Sequence, residues 1–157
     1  MWKLLFLTLW AFSCWAGFES DIRPLDIQPL IPQKQMMCLV KNAHHEAKGE
    51  PLKGRLLVTQ VIFNRAKSVH DLCNVVFAKS QFSWTSQAKR YHKIPGDLQR
   101  QYEKEILNLY YGFANVPEWA ARASHFHAAY VRPQWSHRFV FLGQIGAHRF
   151  YQQSRVI

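Results

Sequence analysis

The chain has 157 residues, 48% of them apolar and 15% aromatic, with 20 Lys and Arg against 10 Asp and Glu. That length suits one domain with a real core, and the apolar content excludes a mostly disordered chain despite a net charge of +10. The basic excess points to an anionic partner (nucleic acid, a membrane surface or an acidic polymer), and charge alone does not choose among them.

Lys3 is followed by thirteen uncharged residues, 4–16, too few for a bilayer span of about 20 but suited to the core of a secretory signal. Cleavage after Ala16 would place Cys14 and Ala16 at −3 and −1. An uncleaved anchor is the alternative. A lipoprotein built on Cys14 is disfavoured by Phe12, which stands where small residues are expected. Export would leave Cys38 and Cys73, an even pair in an oxidising compartment, free to form either a bridge or two buried thiols.

Residues 17–32 contain Pro24, Pro29 and Pro32 without periodicity and are expected to form an arm. The folded domain is expected over 33–157. A first helix starts at Gln33 and stops at Gly49 as a C′ glycine, with Met36, Leu39, Val40, Ala43 and Ala47 at helical spacing. Pro51 opens a second helix over 52–67, whose stripe is Leu52, Leu56, Val58, Thr59, Ile62 and Ala66, with Gly54 permitting close helix approach. A long loop with short elements spans 68–96. Asp97 caps a third helix that runs to Tyr111 before Gly112, and a helical turn follows Pro117. Ser124 to Ala128 alternates, and 139–145 with 147–152 form a hairpin around Gly146. The expected fold class is α+β, mainly α, with a small antiparallel sheet near the C-terminus.

With only ten carboxylates, acid chemistry draws on a short list. Glu46 shares a helical face with Leu39 and Ala43, so its carboxyl is partly desolvated and its pKa raised, as a glycosidic general acid requires. A solvated glutamate, or one paired with Lys48 or Arg55, is the competing reading. His44, His45, His125 and His127 could instead ligate zinc, but His45-Glu46 lacks the second histidine of the zinc-protease pattern, since Gly49 stands there. Phe82, Trp84, Tyr130 and Trp135 lie outside the helix stripes, where aromatic faces stack on sugars, with Gln81, Ser83 and His127 as hydrogen-bonding neighbours. Ordinary core aromatics are the alternative for each.

Five blocks carry a resemblance. They are Cys38-Leu-Val-Lys-Asn-Ala-His-His-Glu46-Ala-Lys-Gly-Glu50-Pro51 with Val61-Ile-Phe-Asn64-Arg65, then Cys73-Asn-Val-Val-Phe, Gln81-Phe-Ser-Trp84-Thr85, Ser124-His125-Phe-His127-Ala-Ala-Tyr130-Val-Arg-Pro-Gln-Trp135, and Ile145-Gly-Ala-His148-Arg-Phe-Tyr151. Over about 38–151 the chain resembles the SleB/CwlJ-type cell-wall hydrolases, the germination lytic enzymes of spores. The resemblance implies a lysozyme-like domain acting on peptidoglycan glycan strands, with no cofactor, no metal and no nucleic-acid partner, exported to the periplasm or cell envelope as a monomer. Any membrane contact would run through an uncleaved N-terminal segment. It implies Glu46 as catalytic acid, Glu50 as a structural or pKa-tuning neighbour, Asn64 and Arg65 as supporting residues, and a Cys38–Cys73 bridge. Gln81, Phe82, Ser83, Trp84, His125, His127, Tyr130 and Trp135 are the expected substrate contacts. His44 departs from the family, whose members often carry Tyr there. The expected reaction is cleavage of the MurNAc–GlcNAc β-1,4 link, as lytic transglycosylase rather than muramidase. A zinc-dependent muramoyl-alanine amidase and a non-catalytic wall-binding module are the alternatives.

Overall fold

A computed structural model describes residues 30–90 and 93–154, so the expected signal segment and most of the arm lie outside the described residues. Four α-helices come first: α1 (Gln33–Ala47), α2 (Leu52–Arg65), the short α3 (Leu72–Val76) and α4 (Gly96–Tyr110). Three 3-10 segments, Ser83–Arg90, Glu118–Arg122 and Gln134–Arg138, punctuate the rest. Strands β1 (His125–Ala128), β2 (Val140–Ile145) and β3 (His148–Gln152) form an antiparallel sheet in the order β1-β3-β2. Among the described residues no helix is long and apolar enough to cross a membrane.

The α1 stripe is buried as its spacing predicts: Met36, Leu39, Val40, Ala43 and Ala47 all face inward. Its end departs from expectation. Gly49 follows the C-cap without taking a left-handed conformation, and the chain turns by a bond from the Glu50 N–H to the Ala47 carbonyl at 3.0 Å. Gly112 does supply a left-handed residue, φ +77°, beyond α4. Asp97 is not the cap of α4. The helix begins at Gly96 behind Pro95, and Asp97 sits in its first turn, where a carboxylate favours the positive end of the helix dipole.

Helix α2 differs most from its predicted stripe. Leu52 is 50% exposed, whereas Leu56, Leu57, Val58, Thr59, Val61 and Ile62 are buried nearly all round. The reason is tertiary: α2 is the central helix, touched by α1, α3, α4, the 118–122 turn and β1. Gly54 accommodates the Glu50 side chain rather than another helix, since a Cβ there would lie 3.0 Å from the Glu50 Cβ.

Two apolar clusters result. One lies among the four helices and includes Leu39, Val40, Ile62, Leu72, Val76, Tyr102 and Ile106. The other joins α2 to the sheet through Ala47, Leu57, Val58, Val61, Ala120, Ala123 and Phe150. The Cys38–Cys73 disulfide ties α1 to α3 across 35 residues, a closure worth about 2–4 kcal/mol. Beside it, Gln35 accepts from the Cys73 N–H and donates to the His70 carbonyl, each at 2.7 Å. The Arg55–Glu105 ion pair is bidentate, at 2.9 and 2.6 Å, and fastens α2 to α4.

Candidate active site

A cleft of about 380 Å³ opens between α2 and the sheet. Its wall comes from four separated stretches: Val61 and Arg65 of α2, Ser80 to Phe82, His125 to His127 of β1, and Pro133, Trp135 and Phe139. The period-2 geometry of β1 puts His125 and His127 on one face and sends Phe126 toward Phe150 in the core. His127 Nε2 lies 3.0 Å from the Tyr151 hydroxyl and its Nδ1 2.8 Å from the Ala128 carbonyl. Since a carbonyl only accepts, Nδ1 is the donor to Ala128, and Nε2 meets the Tyr151 hydroxyl. Trp135 meets the rings of His125, His127 and Tyr151 at centroid separations of 5.4–5.5 Å, so the cleft has an aromatic wall. Burial and the Arg65 guanidinium lower the His125 pKa, and Arg65 is itself lowered by burial.

Glu46 stands on the last turn of α1. It is not part of the cleft wall, but the next residue, Ala47, belongs to the apolar cluster that also holds Val61 and Phe126 of that wall. Neither an ion pair nor a hydrogen bond holds its carboxyl among the described residues. Burial alone pushes its pKa up to about 7. The competing pairings with Lys48 and Arg55 are not made: Arg55 is committed to Glu105 and to the Glu50 carbonyl, the latter at 2.7 Å.

Glu50, four residues on, meets the opposite environment. Its carboxylate accepts the Ala147 N–H at 3.0 Å and lies 3.5 Å from His148 Nδ1, locking the α1–α2 corner to the hairpin turn. Gly146 in that turn has φ +57°, and a Cβ there would collide with the Glu50 carboxylate. The Asn-Arg pair of α2 divides its labour. Asn64 Nδ2 donates to the Ala120 and Ala123 carbonyls, both at 2.8 Å, and holds the 118–122 turn, while Arg65 lines the cleft.

Of the expected substrate contacts, Gln81, Phe82, His125, His127 and Trp135 are brought together in the cleft wall. Phe82 and Trp84 are only 7% and 8% exposed and belong to the core, so most of their ring area packs against protein. Trp84 stacks on His45 at 4.6 Å. Ser83 lies outside the cleft wall, and Tyr130 is 87% exposed and does not join it. Sequence reasoning missed Ser80, Pro133 and Phe139 in the wall, and His148 beside Glu50. His148 lies inside a recognised block, so its role was open to discovery, whereas the wall residues required the fold. Among the described residues no three of His, Cys, Asp and Glu gather as a metal-ligand set.

Comparison with known proteins fits this arrangement. The chain is similar to the catalytic domain of the germination-specific lytic transglycosylase SleB from Bacillus anthracis, with 21% identity and a TM-score of 0.62 over 77% of this chain and 96% of that one. It is likewise similar to the catalytic domain of the Bacillus cereus SleB protein, with 22% identity and a TM-score of 0.60 over 80% and 95%. The shared fold is the one expected. No curated protein sequence matches the chain. The profile of the family described as Cell Wall Hydrolase matches residues 49–151, beginning three residues after Glu46. The chain therefore belongs to the cell wall hydrolase family.

Proposed function

We propose that this chain cleaves the MurNAc–GlcNAc β-1,4 bond of peptidoglycan as a lytic transglycosylase, with Glu46 as its acid and base. The observation that carries the reading is a desolvated carboxyl, held by no partner among the described residues, whose pKa of about 7 keeps a proton available near neutrality. Glu46 gives that proton to the glycosidic oxygen as the C1–O bond breaks and positive charge develops at C1. The muramoyl 6-hydroxyl then attacks C1 and returns its proton to Glu46, closing a 1,6-anhydro ring without consuming water.

Capture by water usually draws on a second carboxylate to activate it. Glu50 is spent on the hairpin turn, and Asp71 accepts from Asn74 Nδ2 at 2.8 Å at the start of α3. That supports the transglycosylase outcome. The aromatic cleft would hold the glycan strand, with Trp135 as stacking face and Arg65 and Gln81 as polar contacts. A zinc amidase would need His127 as a ligand, but both its ring nitrogens already face protein partners. Residues 1–16 would export the chain, as a monomer, to an anionic envelope that its positive charge favours.

Mass spectrometry of digested peptidoglycan tests this. Anhydro-muropeptides from the wild type and none from Glu46→Gln are expected. Reducing sugar ends would identify a muramidase, freed peptides an amidase, and unaltered glycan a binding module.

A further inference from the structure

Asn42 lies one helical turn before Glu46 and is 0% exposed, yet neither its Nδ2 nor its Oδ1 has a hydrogen-bond partner among the described residues. Leaving both ends of a buried amide unpaired is costly, and native proteins rarely do so without a reason. Positions i and i+4 of a helix are side-chain neighbours, and helical side chains lean toward the N-terminus, which brings position 46 over position 42. The Glu46 carboxyl nearby has no partner among the described residues either. The proposed reaction leaves it, halfway through, as a buried anion that needs a donor.

We propose that Asn42 is a positioning residue for Glu46, its Nδ2–H donating to the Glu46 carboxylate after the proton has left and releasing it when the proton returns. This rests on the reading of Glu46 as the acid. The step moves no proton from Asn42 and changes no bond other than the hydrogen bond. Other charged groups do not fill the role. Lys41, His44 and His45 on α1, Lys48 at its C-cap, Arg55 and Arg65 on α2, Tyr102 and Glu105 on α4, and His148 on β3 leave no mark on the Glu46 ionisation, which burial alone displaces.

The test compares wild type, Asn42→Leu and Glu46→Gln on soluble glycan strands across pH. Leu matches Asn in size without its polar atoms, so folding should be retained. Asn42→Leu should lower kcat about 10- to 100-fold with KM nearly unchanged, the loss of one charge-assisted hydrogen bond. Its alkaline limb should move up by about one pH unit. A merely structural Asn42 would not move that limb. A second measurement needs no variant: the Asn42 side-chain amide resonances of the wild type should titrate with the same midpoint as the Glu46 carboxyl. Wild-type kinetics in Asn42→Leu, or an amide signal flat through that range, would overturn the inference while leaving Glu46 as the acid. Activity retained in Glu46→Gln would remove the underlying reading instead.

Discussion

Two glutamates four residues apart, at one end of one helix, have been given opposite fates. Glu46 sits half-buried on the last turn of α1 with no ionic partner among the described residues, and its pKa rises to about 7. Glu50 lies just beyond, where a backbone N–H and a nearby imidazole receive its carboxylate and fix a corner to a hairpin. The difference arises from what packs over each, since the residue type is the same and only four residues separate them. An acid that must keep its proton is placed where nothing rewards its loss, and a structural anion where donors are supplied.

Substitution should separate the two roles. The largest effect is expected for Glu46→Gln, which should lower turnover by about 10²–10⁴-fold with substrate affinity largely kept, measured on soluble glycan strands. The same change should stabilise the fold at alkaline pH. A carboxyl whose pKa is raised on folding supports the folded state below its unfolded value, and that support is lost as pH rises through about 7. Glu46→Gln should therefore be more stable than wild type by about 3 kcal/mol at pH 8.5, with the gap closing below pH 4.5 in denaturant titrations. Glu50→Ala should show the reverse pattern: a loss of about 1–3 kcal/mol near neutrality, from the hydrogen bond to Ala147, and no alkaline gain. A smaller effect is expected at the cleft, where Trp135→Ala should raise KM about 10-fold with a lesser change in kcat. A large kcat defect in Glu50→Ala with stability intact would break the comparison.

The Glu46 half of this contrast could be read along the chain, because helical spacing put it on the face of Leu39 and Ala43. The same spacing put position 50 there too, so the different fate of Glu50 required the fold. The helix-hairpin order followed from Pro51, Gly112 and Gly146, which mark boundaries by their own backbone constraints. What the chain did not disclose is the centrality of α2. Burial on all sides, as at Leu57 and Val61, produces no amphipathic stripe, so its pattern could not announce its place. Trp84 had the same difficulty. An aromatic outside a regular helix stripe suits a sugar or a core equally well, and only the packing against His45 and the α1–α3 cluster decides it. Part of the cleft wall escaped for another reason: Ser80, Pro133 and Phe139 join the expected Gln81, Phe82, His125, His127 and Trp135 only once the sheet is laid across α2.

The most direct measurement is the titration of the Glu46 carboxyl by carbon-13 NMR, set beside the pH dependence of glycan cleavage. The account predicts a carboxyl midpoint near 7 that coincides with the alkaline fall of kcat/KM. A midpoint in the ordinary carboxylate range near 4.5, or cleavage that persists well above the Glu46 titration, would contradict it.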